Sequence, residues 1–385
     1  MKELNNLQPL LKDFVANGPA GCAMTVTYQG ENVFEDYIGL ADMESENEIS
    51  PDNIYRIYSM TKVVTCVAAL ILYERGLYLL NEPLEKYLPE FKNPQVYRTD
   101  EKGDVYTSPS SRSIHIKDLF TMSSGLTYEG DGDETERHVQ KELASISDQQ
   151  ENLQLRDLSK ILASIPLAFD PGTQWRYGFS HDVLAAFIEV VSGKKLGAFL
   201  KDEIFDPLHM NDTSFRLTEE KKHRLCTLYT LDESGDMMKE TNLDRHFHPK
   251  SLFESGGAGL LSTIRDYSRF AQVLANGGEL DGVRLLGKKT IQLMATNHLE
   301  PEQLTYFNWP YLVGYGYGLG VRVLINPSLA GTNSSIGEFG WSGLAGTWVL
   351  IDPKEKLSAV YMQQMLPNFE AYHQPRLRNI IYGAL

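Results

Sequence analysis

From Met60 to Arg75 the chain carries neither proline nor glycine and is apolar on nearly every side. A helix of that kind is buried all round, so the rest of the chain has to fold around it rather than beside it. Gly76 supplies the stop, because glycine accepts the left-handed conformation that ends helices. Ser59 and Lys62 open the helix. Residues three apart share a helix face, so their hydroxyl and ammonium can meet.

That pairing carries chemistry. A serine hydroxyl is a poor nucleophile until a neighbouring base takes its proton. Burial at the helix start is expected to draw the Lys62 pKa down towards neutrality. The positive end of the helix dipole favours an alkoxide on Ser59. Taken alone, Ser-x-x-Lys reads first as a capping serine followed by a surface lysine, and the neighbouring sequence reverses that. Cys66 lies mid-helix in the apolar run and reads as a packed core thiol.

The 385 residues suffice for a large core and two lobes. A net charge of −15 speaks against a nucleic-acid binder, which would show a basic patch. The opening Met1-Lys2-Glu3-Leu4 lacks the basic-then-apolar pattern of a signal peptide, and no apolar run is long enough to cross a bilayer. Cys22, Cys66 and Cys226 are few, odd in number and widely spaced. They read as reduced thiols in a cytoplasmic protein rather than a disulfide framework.

Along the chain, Leu7 to Ala16 predicts a helix, and Cys22 to Tyr28 with Asn32 to Ile38 predict a hairpin. Ala41 to Asp52 is polar and loop-like, and Ile54 to Ile57 is a short strand running into Ser59. Residues 81–210 read as all-helical. Strand patterns return at Leu225 to Leu231, Met237 to Glu240, Tyr317 to Leu324, Ser334 to Phe339, Gly346 to Asp352 and Leu357 to Gln363, before a closing helix from Pro375 to Tyr382. The expected fold is α/β (α+β): an antiparallel sheet flanked by helices and built from both termini, with an inserted all-α lobe. The α/β lobe takes 1–80 plus 211–385, and the inserted lobe 81–210.

With these elements placed, the sequence resembles the serine β-lactamase and penicillin-binding-protein superfamily, and within it the class C-like branch with its β-lactamase-fold esterases. The resemblance covers most of the chain. Tyr58-Ser59-Met60-Thr61-Lys62 fits the first motif, and Leu119-Phe120-Thr121-Met122-Ser123-Ser124-Gly125-Leu126 fits the segment before the helical lobe, with Met122 where histidine is common. Pro171-Gly172-Thr173-Gln174-Trp175-Arg176-Tyr177 fits the run into the second motif. Gly256 to Asp266, Tyr315 to Gly320 and Gly340-Trp341-Ser342-Gly343 follow in the family's order.

The resemblance implies a catalytic set of Ser59, Lys62 and Tyr177, with the Tyr177 phenol relaying a proton. It implies an oxyanion hole from the backbone N–H groups of Ser59 and Leu344. Two positions depart from the family's amide-directed members. Tyr177-Gly178-Phe179 has phenylalanine where asparagine would supply a side-chain amide. Trp341 stands where lysine or histidine would hold a substrate carboxylate, followed by Ser342 and Gly343. Phe179, Trp341, Ser342 and Gly343 are therefore substrate-binding candidates for an apolar, ester-bearing ligand.

The expected function is a serine hydrolase that cleaves carboxylic esters through an acyl-enzyme on Ser59. Three alternatives stand beside it: an amide-directed enzyme of the same fold (β-lactamase, D-amino-acid peptidase or amide-oligomer hydrolase), an acyltransferase, and a non-catalytic penicillin-sensor-like binding protein. The partner is a small-molecule ester or amide. Nothing in the chain calls for a cofactor. Asp244, His246 and His248 could group on one side of a strand, but no further metal ligand accompanies them. There is no Gly-x-Ser-x-Gly elbow, and the acidic run from Glu129 to Glu136 reads as a solvated loop.

Overall fold

The computed structural model describes residues 2–146, 152–241 and 247–385. Helix α1 (Leu7–Asn17) precedes the hairpin of β1 (Gly21–Tyr28) and β2 (Glu31–Asp42), and β3 (Asn47–Glu48) follows. The central helix α2 spans Thr61–Glu74, with α3 (Ser180–Ser192) and α4 (Ile264–Ala275) further on. The C-terminal third supplies β4 (Tyr315–Tyr317), β5 (Arg322–Leu324), β6 (Phe339–Ser342), β7 (Trp348–Asp352), β8 (Leu357–Gln363) and α5 (Glu370–Gly383).

These strands form one eight-stranded antiparallel sheet in the order β4-β5-β6-β7-β8-β1-β2-β3. The two ends of the chain meet at its middle, where β1 and β8 pair from Cys22 opposite Gln363 to Tyr28 opposite Leu357. Every residue of β8 is buried, because both faces of the sheet are covered. Leu7, Leu11 and Phe14 of α1 pack with Leu377 and Ile381 of α5 against Trp348, Leu357 and Tyr361 on one face. The other face meets α4 and the large core that encloses α2. All of Thr61 to Leu72 is buried in α2, as its uniformly apolar sequence predicts. Gly76 follows at φ +71°.

Several local expectations are corrected. Residues 81–210 hold, besides helices, a hairpin of Gln95–Thr99 with Val105–Pro109. Its turn at Asp100 and Gly103 is held by local hydrogen bonds to the Asp100 side chain and carbonyl. The polar stretch after Ala41 holds β3, paired to β2. The apolar run from Tyr317 to Leu324 is two strands, not one, because the chain turns at Gly318 and Gly320. Gly320 has φ +83°, and a Cβ there would meet Cys66 Sγ of α2 at 2.2 Å. Strand β6 starts only at Phe339, because the chain before it turns at Ile336 and Gly337, the latter at φ +91°; Glu338 then forms a buried ion pair with Arg322 at 2.9 Å. Helix α5 starts at Glu370 and carries Pro375 inside it.

Candidate active site

Ser59 sits on a 3₁₀ turn, Tyr58–Met60, that leads directly into α2. Its neighbours are buried while Ser59 is half-buried, so its hydroxyl can be reached from outside. The turn is pinned from several sides. Ile57 N donates to Leu260 O at 3.1 Å, Leu260 N to Thr61 Oγ1 at 3.0 Å, and the Tyr267 hydroxyl to Met60 O at 2.9 Å. Tyr58 holds φ +41°, a left-handed conformation that side chains resist. The end of β6 closes on the same turn. A Cβ at Gly343 would lie 2.4 Å from Ile57 O, so only glycine lets strand and turn approach this closely.

Lys62 is wholly buried one turn into the helix. Its ammonium donates to Ser59 Oγ at 3.3 Å, Tyr128 Oη at 3.0 Å and Gly257 O at 2.8 Å, which uses all three of its hydrogens. The expectation that burial draws this lysine towards neutrality is overturned. Burial does work against the charge, but the phenols of Tyr128 and Tyr177 outweigh it and hold the Lys62 ammonium above its ordinary range. Burial raises the Tyr128 phenol despite the opposing pull of Lys62.

Tyr177 lies beneath this ammonium, with Lys62 Nζ 4.5 Å from its ring centroid. The indole of Trp341 donates from Nε1 to Tyr177 Oη at 3.0 Å. Ser59, Lys62, Tyr177 and Trp341 are thus brought together. Phe179 meets Tyr128 edge to face at 4.7 Å. Ser342 donates to Glu370 Oε2 at 2.7 Å, Gly343 N to Thr347 O at 2.8 Å, and Leu344 follows with its side chain half exposed to solvent.

Two residues of this site escaped the sequence reading. Tyr128 stands two places beyond the Leu119–Leu126 segment, and that position is the only signal it gives. Asp182 is buried behind Lys62, and its Oδ1 accepts from Ser255 Oγ at 2.6 Å and Gly257 N at 3.2 Å. Burial pushes the Asp182 carboxyl up, while Ser255 and Lys62 pull it down. The acidic run is more than a solvated loop: Asp133 and Glu136 both pair with Arg176, next to Tyr177.

A cavity of about 250 Å³ opens beside the cluster, lined by Tyr58, Tyr128, Leu158, Phe179, Phe247 and Phe253, with Glu129 and Asp182 as its charged members. It is largely apolar and suits an acyl chain. Of the possible metal ligands, Asp244 and His246 lie outside the described residues, and His248 Nδ1 accepts from Lys250 N at 3.3 Å. Among the described residues no helix is long and apolar enough to cross a membrane.

Comparison with known proteins agrees with this architecture. Residues 7–381 match the family model described as Beta-lactamase. Protein Rv1367c of Mycobacterium tuberculosis (strain ATCC 25618 / H37Rv) is 31% identical over 374 residues, covering 95% of this chain and 91% of that protein. Esterase EstB of Burkholderia gladioli is 28% identical over 366 residues, covering 89% of this chain and 85% of that one. The solved structure of EstCE1, described as a hydrolase with promiscuous acyltransferase activity, superposes with a TM-score of 0.83 at 24% identity over 99% of both chains. The resemblance read from the motifs holds over nearly the whole chain, and the protein belongs to the Beta-lactamase family.

Proposed function

We propose that the protein is a serine hydrolase that cleaves carboxylic esters through an acyl-enzyme on Ser59. The observation that carries this is the Lys62 ammonium, which donates to the Ser59 hydroxyl and the Tyr128 phenol and lies over the Tyr177 ring, beside an apolar cavity. The substrate carbonyl lies over Ser59 with its oxygen towards the backbone N–H groups of Ser59 and Leu344. Ser59 Oγ bonds to the carbonyl carbon, and its proton passes into the Lys62–Tyr128–Tyr177 cluster, which must first have given up one proton to act as base. Tyr177 returns the proton to the departing alkoxide. Water then repeats the sequence and frees the acid.

The departures at Phe179 and Trp341 support esters over amides. Phe179 offers no donor to an acylamide, and the indole N–H of Trp341 is engaged by Tyr177. Esterase EstB, similar over most of its length, supports the same choice. Transfer of the acyl group to an alcohol is the second reading. The aromatic mouth of Trp309, Tyr311 and Trp341 supports it, since such a surface favours an organic acceptor over water. On this reading the site lies between a lobe of residues 1–80 and 211–385, which gives Ser59, Lys62 and Trp341, and a lobe of residues 81–210, which gives Tyr128, Tyr177 and Phe179. The free, buried cysteines support a reducing, cytoplasmic setting.

The test is intact-mass labelling during turnover of p-nitrophenyl butyrate, with and without added alcohol. Wild type gains one acyl group and Ser59→Ala gains none and loses turnover. A Ser59→Ala protein that hydrolyses the ester at near wild-type rate overturns the assignment.

A further inference from the structure

The mouth of the site on the Trp341 side is a closed ring of contacts with a carboxylate in it. Tyr177 and Trp309 meet at 5.3 Å, Trp309 and Tyr311 at 5.9 Å, and Trp341 returns to Tyr177 at 5.6 Å. Between Tyr311 and Trp341 the ring is completed by Glu370 and Ser342, joined at 2.7 Å. Burial, and then the facing Glu370 carboxylate, hold the Tyr311 phenol above its ordinary range. Trp309, Tyr311, Ser342 and Glu370 are half-buried, so each keeps surface that a ligand can touch.

Glu370 is fixed rather than waving in solvent. Ser342 Oγ and Gln374 Nε2 both donate to Oε2, the latter at 3.3 Å, and Glu370 N donates to Asn368 Oδ1 at 3.1 Å. The nearby cations are buried: they act on Glu370 from below and offer a ligand no contact of their own. Arg322 and Arg378 lie beneath the rim, their side chains 2% and 7% exposed, and both pair with Glu338. Among the described residues, the ring presents a ligand with one carboxylate and several aromatic faces, and neither of these two guanidiniums is exposed.

We propose that this rim is an ammonium subsite, with Glu370 as its specificity-determining residue, so that the preferred esters carry a quaternary or primary ammonium group. Aromatic faces attract cations through their quadrupole, and a fixed carboxylate adds charge at contact distance. A substrate carboxylate is repelled by the same group. The inference rests on the ester-hydrolase reading and names the substrate class for it.

The experiment compares butyrylcholine with 3,3-dimethylbutyl butyrate, its neutral carbon isostere. The expected kcat/KM ratio in wild type is about tenfold or more in favour of the cation, falling to within about threefold of unity in Glu370→Gln. A wild-type ratio near one, or a ratio that survives Glu370→Gln, overturns the proposal. Hydrolysis of p-nitrophenyl butyrate, abolished in Ser59→Ala, reports separately on the hydrolase reading. A binding arm needs no turnover. Choline and 3,3-dimethylbutan-1-ol are titrated into Ser59→Ala protein and followed by the fluorescence of the rim tryptophans. Tighter binding of choline is expected, and equal or weaker binding of choline counts against the subsite whatever the Glu370 variant does.

Discussion

The Trp341 indole donates to the Tyr177 phenol oxygen across 3.0 Å, from a strand of the sheet to a residue 164 positions earlier. With this donor on one side, the Tyr177 hydroxyl hydrogen must point to another. The bond thereby orients the phenol beneath Lys62. Trp341→Phe keeps an aromatic ring and removes the N–H. The expected result is a fall in kcat of about tenfold for p-nitrophenyl butyrate, the worth of one hydrogen bond to a group that changes charge. A change confined to KM would make the indole a substrate contact only.

In the proposed mechanism Lys62 and Tyr177 act on the same proton, so their losses should not multiply. Lys62→Ala and Tyr177→Phe are each expected to lower the acylation rate by about a thousandfold, and the double variant to be little worse than either. Single-turnover kinetics on all three proteins give the comparison. A double variant at the product of the two effects would mean that the groups work independently.

In the proposed mechanism Tyr128 sets the pH at which the cluster can act. Its phenol accepts from the Lys62 ammonium and helps hold that ammonium above its ordinary range. The cluster must lose a proton to become a base, so kcat/KM should rise with pH into the alkaline range. Tyr128→Phe removes one acceptor and destabilises the charged form. Its ascending limb should move to lower pH by about one unit, equivalent to about 1.4 kcal/mol. A pH–rate profile that keeps its position would show that Tyr128 only fills space.

The coming together of Ser59, Lys62, Tyr177 and Trp341 was legible because each sits in a short local pattern. The same holds for α2, whose all-round apolarity admits one environment. Tyr128, Asp182 and Glu370 were not. Tyr128 finds Lys62 across 66 residues, Asp182 finds Gly257 across 75, and Glu370 finds Ser342 across 28, so no spacing rule connects them. The protonation of Lys62 was misjudged for the same reason: burial is readable from an apolar helix, whereas the phenols that oppose it arrive from elsewhere in the fold. The single strand expected from Tyr317 to Leu324 failed at Gly318 and Gly320, where the chain turns with Gly318 close against Met294 O and Gly320 close against Cys66 of α2.

His181 predicts an acid-sensitive fold. It is wholly buried, bonded through Nε2 to Phe120 O at 3.2 Å, and burial together with the Lys62 charge pushes its imidazole down from 6.5 to about 3. Between those values the unfolded chain holds a proton that the native state lacks. Stability from this group is therefore present above pH 6.5 and is lost as pH falls towards 3, at about 1.4 kcal/mol per pH unit. Asp182, with its raised carboxyl, contributes with the opposite sign, so the difference between proteins is the useful measure. Urea unfolding from pH 4 to 6 should give His181→Gln a slope shallower by about one proton. An unchanged slope would show that His181 is not neutral in the fold.

Tyr58 stores strain next to Ser59, the proposed nucleophile. Its φ of +41° is left-handed, and its ring packs edge to face on Phe247 at 6.2 Å while lining the cavity. The backbone and ring contributions separate if alanine and glycine are compared at this position, since both delete the ring. Left-handed backbone costs a residue with a Cβ about 1–2 kcal/mol, and glycine loses about 0.5–1 kcal/mol of that advantage through its freer unfolded chain. Tyr58→Gly should therefore be more stable than Tyr58→Ala by about 0.5–1 kcal/mol in urea unfolding. Activity should run the other way. A glycine lets the turn before Ser59 relax into other conformations, so Tyr58→Gly is expected to have about a tenfold lower kcat for p-nitrophenyl butyrate than Tyr58→Ala. If alanine proves the more stable of the two, the left-handed turn is not strained. If the two variants turn over alike, the strain does not serve to aim the Ser59 hydroxyl.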